Sequence, residues 1–190
     1  GSKRQFAAPT ALTGSATGLS ASQITALQTG FDQSQSNQVK LAYVQALVNY
    51  LSGDRSYEKS QIPPGLSQNF RQRNGVLGDI AHSTPVYGVS AGDQQPFLIF
   101  GANDGMVHVL NASTGNELFA YMPSSSYANL YRLAGTDYND NINAHRYFVD
   151  GNIRVATLTT ATGKKTIAVG SFGLGGKGIW ALDLTNIKTP

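Results

Sequence analysis

The chain has 190 residues, 41% hydrophobic and 13% charged, with 21 Gly and no Cys. That apolar share is too high for a disordered chain, and no stretch approaches the ~20 apolar residues of a membrane-spanning helix. Without Cys there is no disulfide framework, thiolate zinc site or cysteine nucleophile, and the +3 charge splits into +4 over residues 1–74 and −1 over 75–190. Arg71 and Arg73 are a pair and not a basic stripe, so nucleic acid is not an expected partner.

Gly1-Ser2 has the look of a cloning scar. Residues 3–19, rich in Ala, Thr, Ser and Gly, lack an apolar period, so residues 1–19 read as scar and flexible linker. Ser20 with Gln23 spells a capping box that opens a short helix ending near Gly30. From Val39 to Leu51 the apolar positions 39, 42, 43, 46, 47, 50 and 51 recur at helical spacing, and Leu41, Val44 and Val48 widen the face. A helix apolar on most of its circumference needs cover on several sides. Gly53 is its stop. Residues 20–74 are therefore expected to form a helical lead-in that docks on something larger.

After Gly75 the texture changes to short apolar runs joined by turns. Val86-Tyr87, Phe97–Phe100, Met106–Leu110 and Leu118–Met122 read as four strands, with Asp104-Gly105 as a hairpin signal and Asn111–Gly115 as a further turn. The pattern recurs in Asp150–Leu158, Thr166–Gly170 and Gly178–Asp183. Asn111 and Asp183 lie 72 positions apart, as do Val86 and Leu158. Each of Asn111 and Asp183 ends a strand with a short side chain able to accept hydrogen bonds from the following turn. Tandem four-stranded units predict a β-propeller, and the period exceeds the usual ~40–50 residues because Ser124–His145 is an inter-blade insertion. The expected fold is mainly β: residues 75–190 as about two four-stranded blades with an insertion at 124–145, preceded by one or two α-helices. Two partial blades cannot close a ring, so the chain is expected to be a propeller fragment that packs on the rest of its own propeller.

Val109–Phe119 is similar to the quinoprotein propeller repeat, with Asn111 where Asp is usual and Phe119 where Trp is usual. The wider pattern resembles the PilY1/PilC family of type IV pilus tip-associated adhesins, in Leu47–Arg55, Val76–Tyr87, Gly101–His108, His145–Gly151 and Gly173–Gly178. The resemblance implies a non-enzymatic, secreted protein in pilus assembly, twitching motility and adhesion. It would be located at the cell surface and pilus tip, reached through the periplasm or outer membrane. Minor pilins and a host or abiotic surface would be its partners. Some family members carry Arg-Gly-Asp after the helix, whereas Ser52-Gly53-Asp54 stands here, so integrin recognition is not carried over.

Asp137-Tyr138-Asn139-Asp140-Asn141 alternates oxygens as calcium loops do, but Ile142 and Phe148 stand where such a loop needs Gly and Glu. Calcium occurs in the family and maps onto no residue here. His82, His108 and His145 lie far apart, and His108 reads as a packed rim or core residue. Gly173–Gly178 lacks the Lys-Ser/Thr of a phosphate loop and precedes a strand, so it is a turn. A quinoprotein-like dehydrogenase needs calcium ligands, a stacking Trp and commonly a vicinal Cys pair; the chain has only Trp180 and no Cys. A generic outer-membrane scaffold propeller need not carry His145–Gly151 or Gly173–Gly178. No catalytic, cofactor or metal residue is expected. Partner contacts are expected on the insertion, through Tyr127, Tyr131, Tyr138 and Asn139.

Overall fold

A computed structural model describes residues 5–188. The chain divides into two compact bodies: the residues up to 76 with 124–145, and 77–123 with the residues from 146 onward.

The first body is helical. Helix α1 (Ala21–Leu27) opens on the expected capping box: Gln23 N donates to Ser20 Oγ at 3.3 Å, and Ser20 N donates to Gln23 Oε1 at 2.8 Å. Helix α2 (Asn37–Leu51) is capped by Ser36, and Gly53 follows it at φ 105°. Tyr43, Val44, Ala46, Leu47, Val48, Tyr50 and Leu51 are all buried, as its broad apolar face requires. A one-turn helix α3 (Ser56–Lys59) comes next.

Two parts of this body depart from the sequence reading. Residues 5–19 are not free of the fold: Gln5 N bonds Thr17 O at 2.7 Å, Gln45 Nε2 on α2 bonds Pro9 O at 2.8 Å, and Leu19 is buried. Small side chains let this segment lie close without an apolar period, so pattern alone cannot see it. The insertion, in turn, is core. Its 3-10 helix Ser124–Ala134 buries Tyr127, Leu130, Leu133 and Ala134. Tyr50 Oη donates to Leu133 O (3.2 Å), and Arg71 donates from N to Ala134 O (2.9 Å) and from Nε to Leu133 O (3.0 Å).

A charged cluster closes the body. The Glu58 side chain has no exposure and accepts from Arg73 Nε (2.7 Å), Arg73 N (3.1 Å) and Arg55 Nη2 (2.9 Å). Arg73 also donates to Tyr50 O and Asp54 O, and its guanidinium lies 3.7 Å from the Tyr50 ring centre. Burial by itself would raise the Glu58 pKa; the bonds from Arg73 and Arg55 outweigh it and hold the carboxyl below its ordinary value.

The second body holds two antiparallel sheets. One runs β1 (Val86–Val89), β2 (Pro96–Gly101), β3 (Val107–Asn111), β4 (Glu117–Tyr121); the other runs β5 (Ile153–Thr160), β6 (Gly163–Ser171), β7 (Ile179–Asp183). Four and three strands in neighbouring order match the expected blades. Asn111 Oδ1 accepts from Ser113 N and Thr114 N, and Asp183 Oδ1 from Thr185 N, as expected of both strand ends.

The registers correct one equivalence. Val86 pairs with Ile99 and Ile99 with Val109; Arg154 pairs with Val169 and Val169 with Ala181. The counterpart of Val86 is therefore Arg154, and Leu158 lies beyond it, paired with Lys165. The 72-residue offset holds for β3 and β7 and shrinks toward the first strands because the connecting loops differ in length.

The alternation also sorts the faces. Thr166 Oγ1 donates to Val89 O and accepts from Ala91 N, so the β6 face carrying Thr166, Ala168 and Gly170 turns toward the first sheet. Phe97, Ile99, Val107 and Val109 are buried in the first sheet. Their counterparts Ile167, Val169, Ile179 and Ala181 lie on the far face of the second, where Val169 and Ile179 are exposed along with Leu158.

Candidate interaction surfaces

The four residues expected on the insertion differ in exposure. Tyr127 is buried, and Phe6 packs edge-on to its ring at 6.0 Å, so it leaves the candidate surface. Tyr131 is half-buried against Gly30, with the Arg132 guanidinium 5.3 Å from its ring centre. Tyr138 is half-buried beneath Arg71 at 4.7 Å. Asn139 is exposed, in the left-handed region at φ 74°, which Asn tolerates.

These last two open a tight loop. Asn139 N donates to Asn143 O (2.7 Å), and Asp140 Oδ1 accepts from Ile142 N and Asn143 N, both at 2.8 Å. Asp137 Oδ1 accepts from Asn143 Nδ2 at 3.2 Å. The carboxylates thus shape their own turn. What the turn presents is Ile142, 84% exposed. Sequence reasoning passed over Ile142 because it treated that position only as a missing glycine.

A second surface lies at one end of the two sheets, in the loops that lead into β1 and β5 and join β2 to β3 and β6 to β7. Asn103 ties three of them: its N and Nδ2 donate to Asp79 O and Oδ2, and its Oδ1 accepts from Phe148 N at 3.0 Å. Gly78 N donates to Asp104 Oδ2 at 2.9 Å. Gly101 stands against Val149, Gly151 against Ser171 and Gly175 against Phe148 too closely for any of them to carry a Cβ. Four of the five family-matching stretches meet in this web.

The web carries a His–Asp pair. His82 Nδ1 lies 2.7 Å from Asp150 Oδ2, and His82 N donates to Asp150 Oδ1 at 3.1 Å. Asp150 is buried while the His82 side chain is 59% exposed, with the Tyr147 ring 5.7 Å away. A neutral ring held this way donates from Nδ1 and offers Nε2 outward as an acceptor. Ile80, Tyr147 and Leu174 are exposed on the same loops. The two residues of the pair stand 68 positions apart, so no local motif joins them; only the fold does.

Among the described residues no three His, Asp or Glu side chains stand together as a metal site, and no helix is long and apolar enough to cross a membrane. Trp180 is buried, with its ring on Gly170 inside the second sheet.

Comparison with known proteins follows the same lines. Residues 78–190 match the family described as the PilY1 beta-propeller domain. The chain is 36% identical over 163 residues to a type IV pilus biogenesis factor PilY1 homolog of Xylella fastidiosa, covering 73% of this chain and 13% of that protein. It is also 36% identical over 167 residues to the type IV pilus biogenesis factor PilY1 of Pseudomonas aeruginosa strain PAK, covering 74% of this chain and 14% of that protein. The chain therefore spans about a seventh of the length of these relatives. No solved structure matches it. Two tandem antiparallel sheets, a loop web built from the shared motifs and a family match over residues 78–190 together place this chain in the PilY1 β-propeller domain family.

Proposed function

We propose that this chain is part of a non-enzymatic type IV pilus biogenesis protein that acts at the cell surface and pilus tip. The protein supports pilus assembly, twitching motility and adhesion, and its partners are minor pilins and a host or abiotic surface. The observation that carries this reading is the match to PilY1 relatives named as pilus biogenesis factors. No cofactor enters it, and passage through the periplasm or outer membrane is part of it.

Within this reading the partner contact lies on the 137–143 loop, where Tyr138 and Asn139 precede the projecting Ile142, with Tyr131 further back on the same insertion. A rigid turn that presents an aliphatic side chain among amide and carboxylate groups loses little entropy on binding. Deleting the whole insertion would be a poor test, because Leu130 and Leu133 are core. The test is the loop triple variant Tyr138→Ala, Asn139→Ala, Ile142→Asp in a full-length protein on which piliation depends, with the single Ile142→Asp as the variant that leaves the Arg71–Tyr138 contact intact. Surface pili, twitching zones, adherence and binding of purified minor pilins should fall at unchanged secreted levels. Unchanged values for all four would overturn the assignment of the loop.

A further inference from the structure

His108 lies in β3, buried, with its ring stacked on Phe100 of β2 at 5.4 Å between centres. Both ring nitrogens face carboxylates: Nε2 is 3.0 Å from Asp104 Oδ2, and Nδ1 is 2.7 Å from Glu117 Oε2. Asp104 comes from the turn between β2 and β3, and Glu117 begins β4; β2, whose residues include no titratable side chain, sets Phe100 against the ring. An imidazolium donates to both acids. A neutral imidazole has one N–H and must turn a lone pair toward the other carboxylate.

The two acids are not equivalent. Asp104 is 13% exposed and already accepts from Gly78 N, at Oδ2, and Met106 N, at Oδ1. Glu117 is 50% exposed and can swing into water. The enclosed acid has the greater need of a donor, so the last proton stays on Nε2. Glu117 begins the edge strand, next to the register shift between Val109 and Leu110, where the β3–β4 ladder is already weakest.

We infer that His108 is a proton-operated latch on the edge strand β4: when charged it ties Glu117 and the Asp104 turn to β3, and when neutral it keeps the turn and releases Glu117. Burial opposes the charge, but the bonds and charges of Asp104 and Glu117 outweigh it and raise the imidazole above its ordinary value. A raised folded-state value means the latch stabilises fully below the unfolded value and is lost as pH rises through the folded one.

The experiment is histidine-ring and amide-exchange NMR on the 190-residue chain from about pH 5 to about pH 9, across the histidine range. His82, His108 and His145 are assigned through single His→Gln variants. The expected His108 midpoint lies above 6.5, with the neutral ring protonated at Nε2. Amide exchange in Leu118–Tyr121, corrected for base catalysis, should rise ~10-fold for each unit by which the midpoint exceeds that of the Glu117→Gln variant, in which the Asp104 bond remains. Glu117→Gln should lower the midpoint while the Asp104 turn persists, and His108→Gln should make β4 protection independent of pH. A midpoint at or below 6.5, a neutral ring protonated at Nδ1, or a midpoint unmoved by Glu117→Gln would overturn the latch.

Discussion

The helical body and the blade body each contain a buried charged cluster, and the two have opposite polarity. In the helical body an acid, Glu58, stands between the guanidinium groups of Arg55 and Arg73. In the blade body an imidazole, His108, stands between the carboxylates of Asp104 and Glu117. Guanidinium does not titrate in proteins, so the first cluster changes charge only when Glu58 itself takes a proton. Its pKa is depressed in the fold, so its stabilisation is present above the ordinary carboxylate value and lost as pH falls through the folded one. The second cluster fails in the other direction, as pH rises. Similar chemistry in two bodies thus sets two edges of a pH window: one is lost as pH falls through the lowered Glu58 value, and the other as pH rises through the raised His108 value.

Removing the partner of a buried charge should give the largest effect. Arg73→Ala leaves Glu58 enclosed with only the part-exposed Arg55, and should cost about 3–5 kcal/mol. The two bodies can be read separately in urea, because helical dichroism reports mainly the first and the chain's one Trp, Trp180, lies in the second. The helical transition should move to lower urea while Trp180 fluorescence keeps its midpoint. A common shift of both would show that the bodies unfold as one and would break the comparison.

A smaller effect is expected where glycine permits close approach in the blade body. Gly101→Ala pushes a methyl group into the backbone at Val149 and should cost about 1–3 kcal/mol, read from Trp180 fluorescence. Gly75→Ala, in the helical body, meets nothing within reach and should leave the helical transition within about 0.5 kcal/mol of the parent chain. If Gly101→Ala were equally silent, the loop web would be looser than its packing implies.

The smallest effects belong to the strand-end caps. Asn111→Ala and Asp183→Ala remove the acceptors of their following turns, and each should cost about 0.5–1.5 kcal/mol in urea midpoint measurements. Similar losses would show that the two repeats use the device equally. A loss at Asn111 alone would mark the first sheet as the tighter blade.

Much of the fold was legible in local pattern. The capping box at Ser20, the α2 face, the Gly53 stop and the strand runs depend on neighbours a few residues away, where periodicity and turn chemistry act directly. The strand-end caps at Asn111 and Asp183 were legible for the same reason, since each side chain accepts from a backbone amide only two or three residues on. The candidate surfaces were only half legible. Tyr127 and Ile142 occupy the same insertion, and composition gave no means of seeing that the ring is buried and the aliphatic side chain exposed. The Val86 to Leu158 equivalence failed because loops of unequal length shift a repeat without changing its texture.

From sequence alone, then, come the mainly β repeat architecture, the helical lead-in and the motifs that mark the family, because each is written in contiguous residues. Tertiary structure alone decided that residues 124–145 complete the helical body, that His82 meets Asp150, and that Glu58 and His108 stand at the centres of oppositely charged clusters. The physical reason is range. Periodicity, capping and turn preference act over a few residues, whereas burial and hydrogen bonding are satisfied by whichever groups the folded chain brings together, here up to 95 positions apart for Asp93 and Lys188.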